Sequence, residues 1–296
     1  AHIKGTAWCP SFCVIHLQQH FYFVGPLGFV MINLPSLTSP VGVWDSGVGG
    51  ISVLKAIREQ LPNELLLYVG DSANAPYGDR DSAFILQRAF KLTEFLCNAN
   101  AKVIVVACNT ATVVAIEALR SEFRIPIVGM EPAIKPAMTR THSGVVAVLA
   151  TSRTLESASV AHLCRLYGGN VKIILQPCPG LVEQVERGEL DSEKTMHMLK
   201  SYILPVFAAG ADTLVLGCTH YPFLQPQIRA IAGDSVTILD SAQAIALQVE
   251  RTIYQSSVGT PSPGPREIFL TTGEPGPSGA LFSKLWGASV NVQHLP

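Results

Sequence analysis

The sequence predicts an α/β fold of two similar α/β lobes, each with a mainly parallel sheet, and a ligand site in the cleft between them. Three observations carry this. From Val41 onward, short apolar runs of β type alternate with longer amphipathic stretches. The β runs are continuously apolar, as strands are when helices cover both faces of a parallel sheet. Finally, one pattern occurs twice: a strand ending in Asp45 precedes one ending in Cys108 by 63 residues, and a strand ending at Thr151 precedes one ending in Cys218 by 67. Such a near-repeat implies two related halves facing each other.

In chain order, the expected strands are 41–44, 65–69, 103–107, 125–128, 144–149, 171–175, 213–216 and 236–239, each a run rich in Val, Ile and Leu. The expected helices are 51–60, 82–98, 111–123, 154–167, 191–208, 223–232 and 242–254, where apolar residues recur at helical spacing, with a short helix at 181–187. After the Pro/Gly/Ser break at 261–265, a strand at 267–271, a helix near 280–286 and a strand at 288–292 are expected to add an edge unit without chemistry of its own. Residues 1–40 mix aromatics, histidines, Pro and Gly with no evident period and are expected to add nothing to the fold. The apolar patch at 21–32 lacks the preceding cluster of positive charge of a secretory signal.

Composition narrows the function. Of the 296 residues 48% are hydrophobic and 15% charged, below the quarter usual in soluble domains, so the core is large for the polar surface. Apolar runs such as 29–32 and 103–108 fall far short of a membrane span. With 21 basic and 22 acidic residues and no charge blocks, the chain shows no electrostatic footprint for nucleic acid or an anionic membrane. A small-molecule partner is expected. Seven cysteines, an odd number without regular spacing, read as reduced thiols of a cytoplasmic protein.

Ligands of open parallel sheets bind beyond the carboxyl ends of the strands, and three strand ends here are unusually reactive. Asp45-Ser46-Gly47-Val48-Gly49-Gly50 offers a carboxylate, a hydroxyl and a tight turn into a helix, whose exposed N–H groups suit a substrate carboxylate. Cys108-Asn109-Thr110 and Cys218-Thr219-His220 each deliver a thiol and polar neighbours. Either cysteine alone reads as a core thiol, but two on opposite walls of a cleft have a specific use. A racemase removes a proton from one face of a carbon and returns one to the other, which two opposed acid–base groups do directly. An unperturbed thiol pKa of about 8.5 lets a thiol and a thiolate coexist after modest tuning. Asp45 beside Cys108 and His220 beside Cys218 are the expected proton-handling partners.

At these residues the sequence resembles the glutamate racemase family within the wider aspartate/glutamate racemase superfamily. The resemblance runs from about Val41 to Tyr254 on 45–50, Ala75-Pro76-Tyr77-Gly78, Cys108-Asn109-Thr110-Ala111 and Gly217-Cys218-Thr219-His220-Tyr221-Pro222. It implies a cofactor-independent two-base racemase interconverting L- and D-glutamate, the latter for peptidoglycan. By resemblance, Cys108 serves D-glutamate and Cys218 L-glutamate; Asp45 assists the first, His220 the second, and Glu186 holds His220. Asp45, Ser46, Pro76, Tyr77, Gly78, Asn109, Thr110, Thr151, Thr154, Thr219 and His220 match the substrate pocket. The family fold implies one domain from 41–131 plus 241–296 and another from 132–240. Some family members respond to a muramoyl cell-wall precursor, making such a regulator an expected partner beside glutamate, for a monomer or homodimer.

Other readings are weaker. Cys97 and Cys164 within helices, and Cys178 after a strand, read as structural thiols, and a zinc site from Cys108, Cys178, Cys218 and His220 matches no standard spacing. His220-Tyr221-Pro222 favours glutamate over aspartate as substrate, and a two-lobed binding protein needs no strand-end thiols.

Overall fold

The computed structural model describes residues 13–17, 20–25, 28–32, 39–255 and 266–295. Near the start, β1 (Cys13–Leu17), β2 (His20–Gly25) and β3 (Gly28–Ile32) pair as an antiparallel meander. The sequence of 1–40 shows no strand period, yet aromatic and β-branched residues form these three strands, with Gly25 paired to Gly28.

The first large sheet contains β4 (Val41–Asp45), β5 (Leu65–Gly70), β6 (Val103–Val106) and β7 (Ile127–Gly129), joined late in the chain by β12 (Arg266–Thr271) and β13 (Val292–His294). Its order is β13-β12-β5-β4-β6-β7, parallel throughout. The second sheet holds β8 (Val145–Ala150), β9 (Lys172–Pro177), β10 (Thr213–Leu216) and β11 (Thr237–Leu239) in the order β11-β10-β8-β9, again parallel. Each sheet thus contains the same succession, in which the first strand lies between the second and the third. The chain turns outward in opposite directions from that first strand, creating a crevice between first and third strands where ligands of such sheets bind. In the first lobe the crevice lies between β4 and β6; in the second, between β8 and β10.

Helices cover both faces: α1 (Ile51–Gln60), α2 (Ser82–Asn98), α3 (Asn109–Glu122), α4 (Ile134–Arg140), α5 (Ser152–Leu155), α6 (Ala158–Tyr167), α7 (Leu181–Glu186), α8 (Glu193–Ala208), α9 (Gln225–Ala232), α10 (Ala242–Gln255) and α11 (Pro275–Trp286). Successive residues of β4, β5 and β6 enter different cores. Val41, Val43, Leu66, Tyr68, Val103 and Val105 join the cluster that includes residues of α1 and α10, whereas Trp44, Leu67, Val69, Ile104 and Val106 join residues of α2 and α3. Each of these side chains is fully buried, worth roughly 1.5–3 kcal/mol for a large apolar group. Among the described residues no helix is long and apolar enough to cross a membrane.

Several other expectations change; among them, the expected strands at 125–128 and 288–292 lie at Ile127–Gly129 and Val292–His294, and the helix near 280–286 begins at Pro275. The helix expected at 154–167 is two, because Ser157 leaves the helix and caps a new one, accepting from Val160 N at 3.2 Å. The helix expected from 223 starts at Gln225, after a 3-10 turn over Tyr221–Leu224. α4 was not expected; its Pro136 sits in the first turn, where a missing N–H costs nothing. And the C-terminal segment is no mere edge unit: β12 lies inside the sheet between β5 and β13, with Phe269 and Leu270 buried.

Candidate active site

β4 ends in Asp45, which is 0% exposed. Its Oδ1 accepts from Gly47 N at 2.8 Å and its Oδ2 from Thr219 Oγ1 at 3.2 Å. On the neighbouring strand, Cys108 follows β6 as the N-cap of α3, its sulfur accepting from Ala111 N at 3.4 Å while Ser46 Oγ lies 3.6 Å away. Across the cleft, the segment after β10 delivers Cys218, Thr219 and His220. His220 Nδ1 is 3.7 Å from the Cys218 sulfur, and its Nε2 is 2.6 Å from Glu186 Oε1 at the end of α7.

Several contacts stitch the two sheets together at this point. Glu186 Oε1 also accepts from Val48 N at 2.9 Å, and Ser52 Oγ donates to Thr219 O at 2.8 Å. Thr110 Oγ1 meets the hydroxyls of Thr151 at 2.9 Å and Thr154 at 3.3 Å. The glycine loop after Asp45 is required by this closeness: a Cβ on Gly47 would overlap Glu186, and one on Gly49 would overlap His220 and Thr219. The N–H groups expected to await a substrate carboxylate are partly engaged, Gly47 N by Asp45 and Val48 N by Glu186.

The two thiols sit in different fields. Burial raises the Asp45 carboxyl from 3.8 to about 6, the His220 charge offsetting part of the rise. Burial likewise pushes the Cys108 thiol well up, and the neighbouring Asp45 adds to it. Burial alone would favour neutral His220, yet its hydrogen bonds to Cys218 and Glu186 outweigh that and hold the imidazolium well above the ordinary histidine range.

Between the thiols lies a cavity of about 10 Å³, lined by Ser46, Pro76, Tyr77, Gly78, Cys108, Asn109, Thr110, Thr151, Cys218, Thr219 and His220, all singled out from sequence. The other three candidates stand behind it: Asp45 and Glu186 contact lining residues, and Thr154, fully buried, braces Thr110 and Thr151. Val182 also lines the cavity and was missed; the strand-end rule applied to the segment after β9 points to it. The Tyr77 hydroxyl is directed to Asp71, at 2.5 Å. Among the described residues no group of three or more His, Cys, Asp or Glu side chains could hold a metal ion. Cys178, Cys97 and Cys164 pack in or against the apolar clusters, and burial raises the Cys97 thiol to about 11.

The chain has counterparts among known proteins in both sequence and fold. Residues 47–249 match the family model of Asp/Glu/Hydantoin racemase. A glutamate racemase from Ectopseudomonas mendocina is 46% identical over 255 residues, covering 86% of this chain and 97% of that relative. Among solved structures, a glutamate racemase isoform from Bacillus anthracis superposes with a TM-score of 0.80 at 32% identity, covering 88% and 98% of the two chains. The Escherichia coli glutamate racemase, solved with L-glutamate and the activator UDP-MurNAc-Ala, gives a TM-score of 0.75 at 29% identity, covering 86% and 97%. With a match of this length in both sequence and fold, the chain belongs to the Asp/Glu/Hydantoin racemase family, among its glutamate racemases.

Proposed function

We propose that this chain interconverts L- and D-glutamate without a cofactor, using Cys108 as the base for the α-proton of D-glutamate and Cys218 for that of L-glutamate. The observation that carries this reading is a thiol from each sheet on the wall of one small cavity. In each turnover a thiolate takes the α-proton from one face while the opposite thiol gives its proton to the other. One C–H and one S–H bond break, one of each forms, and the sulfurs exchange protonation states.

The flanking groups support unequal roles. The His220 imidazolium, braced by Glu186, gives a negative Cys218 sulfur a positive partner 3.7 Å away. Cys108 is held protonated by burial and by Asp45. Cys108 therefore stands as the proton donor in the L-to-D direction, and in the reverse direction Asp45, its pKa raised to about 6, is the group able to accept the Cys108 proton. Asn109 borders the cavity and its Oδ1 is buried without a hydrogen-bond partner, so this side chain is the candidate acceptor for the substrate ammonium. The remaining lining residues, with Asp45 and Thr154 behind them, form the substrate pocket.

A cavity of 10 Å³ holds about one water molecule, so glutamate enters only when the lobes part. The moving bodies of this proposal are 41–131 with 241–296, and 132–240. Where they join, Ser241 Oγ donates to Glu131 O, and a cavity of about 870 Å³ is bordered by Arg120, Arg124 and Lys135. It has the room and the cations for a muramoyl cell-wall precursor as regulator, in keeping with the activator bound by the Escherichia coli relative. On this reading the enzyme works in the cytoplasm as a monomer or homodimer, supplying D-glutamate for peptidoglycan.

Incubation with L-glutamate in deuterated water tests the reaction. Optical rotation should decay as deuterium appears at the α-carbon, aspartate should be left unchanged, and Cys108→Ser and Cys218→Ser should each abolish turnover, because a serine hydroxyl is a far weaker base. Unchanged glutamate would overturn the activity; single variants with near-normal turnover would overturn the two-thiol mechanism.

A further inference from the structure

Asp71 follows β5 and is fully buried, yet the proton-transfer scheme above makes no use of it. Five donors converge on its carboxylate. Arg88 of α2 clamps it with Nε at 2.9 Å and Nη2 at 2.7 Å, Asn74 Nδ2 donates at 2.9 Å, the Tyr77 hydroxyl at 2.5 Å, and Thr272 Oγ1 at 2.7 Å. Its pKa is lowered: burial opposes ionisation, but the bonds from Arg88, Tyr77 and Thr272 outweigh it. The backbone joins the same knot, with Asp71 N bonded to Asp45 O at 3.0 Å and Asn74 N to Asp71 O at 2.9 Å.

What the carboxylate holds is the loop over Ala75–Gly78, whose Pro76, Tyr77 and Gly78 form one wall of the cavity. The Tyr77 phenol is consumed by Asp71, so this wall meets a substrate through ring, Pro76 and backbone, and its position depends on the knot behind it. One of the knot's strands comes from far along the chain. Thr272, just past β12, both donates to Asp71 and accepts from Ala73 N of the turn at 3.2 Å. Neither thiol, nor His220, Glu186 or Asp45, shares a side-chain hydrogen bond with Thr272 among the described residues.

We propose that Asp71 is a positioning residue that fixes the Pro76–Gly78 wall for substrate binding, and that the C-terminal segment acts on the site through Thr272. The inference rests on the pocket assigned under Proposed function. Loosening this wall weakens binding of substrate and transition state alike, which raises KM and spares kcat, because the proton-transfer groups stand on other elements.

The test is Thr272→Val beside Thr272→Ser, with initial rates measured in both directions. Thr272→Val should raise KM for L- and D-glutamate by about fivefold to tenfold, the scale of one hydrogen bond, with kcat within about twofold. Thr272→Ser, which keeps the hydroxyl, should restore KM. Tyr77→Phe, cutting the same carboxylate from the loop end, should raise KM as well and serves if Thr272→Val does not fold. An unchanged KM in folded Thr272→Val or in Tyr77→Phe would overturn the proposal, as would a fall in kcat alone. A wild-type chain that does not racemise glutamate would instead remove the reading beneath it.

Discussion

Replacing Asp45 by asparagine tests the electrostatics of the Cys108 wall without any substrate. The substitution keeps the shape and both contacts in kind: the amide oxygen still accepts from Gly47 N, and the amide nitrogen faces Thr219 Oγ1, a hydroxyl that can accept as readily as donate. What it removes is titration. The folded pKa of about 6 lies above the model value of 3.8, so the folded state binds the proton more tightly than the unfolded chain. Stability from this group is therefore fully present below about pH 4 and lost as pH rises through about 6. A rise of about 2 units at 1.4 kcal/mol each makes the ionised, buried carboxylate cost about 3 kcal/mol at pH 8. Asparagine carries no such cost. Urea unfolding of both proteins from pH 4 to pH 8 should show the stability difference moving by about 3 kcal/mol in the variant's favour, with the titrating groups remote from Asp45 cancelling between them. A difference that stays flat with pH, or moves the other way, would refute the assignment of a destabilised carboxylate beside Cys108.

Gly49→Ala should cut turnover by about 100-fold or more, the scale of one acid–base group, because its Cβ would displace His220 and Thr219; near-normal turnover with unchanged circular dichroism would show that the His220 position is immaterial. In steady-state kinetics run in each direction, D-glutamate should show the larger KM and, by the same factor, the larger kcat. Equal constants would mean that the two thiols share the proton evenly at rest.

Much of the fold was legible because its signals are local. Strand Thr213–Leu216 and helices Ile51–Gln60 and Ser82–Asn98 have the bounds read from apolar periodicity, the last with Asp81 accepting from Phe84 N at its cap. Local signals misled where two competed: Pro136 hid a helix that tolerates it in the first turn, and the periodicity over 154–167 concealed the cap at Ser157. The candidate site was legible because strand ends in parallel sheets are where ligands bind, so a cysteine there stood out. What sequence could not supply was direction and long-range contact. That Tyr77 turns its hydroxyl away from the cavity, and that Thr272 reaches Asp71 across 201 positions, depends on packing that no window of neighbouring residues encodes.

The matched strand order of the two sheets bears on the proposed chemistry, because it brings a thiol from each sheet to the wall of one cavity without making the two sides alike. Enantiomers have equal free energy, so kcat/KM must be the same in both directions at every pH, however unequal the flanking charges. Inequality in the separate constants enters through the resting distribution of the proton and through any difference in how the two enantiomers fit the pocket. Burial and Asp45 keep Cys108 protonated, so on the proposed mechanism the form with a Cys108 thiolate, which binds D-glutamate, is the minor one. Binding through a minor form raises the apparent KM by the inverse of its population. The same free-energy gap makes the step out of the D-glutamate complex downhill, raising kcat by a matching factor. The asymmetry of the two walls thus leaves catalytic efficiency equal while shifting, by one common factor, the turnover number and the concentration at which each enantiomer saturates the enzyme.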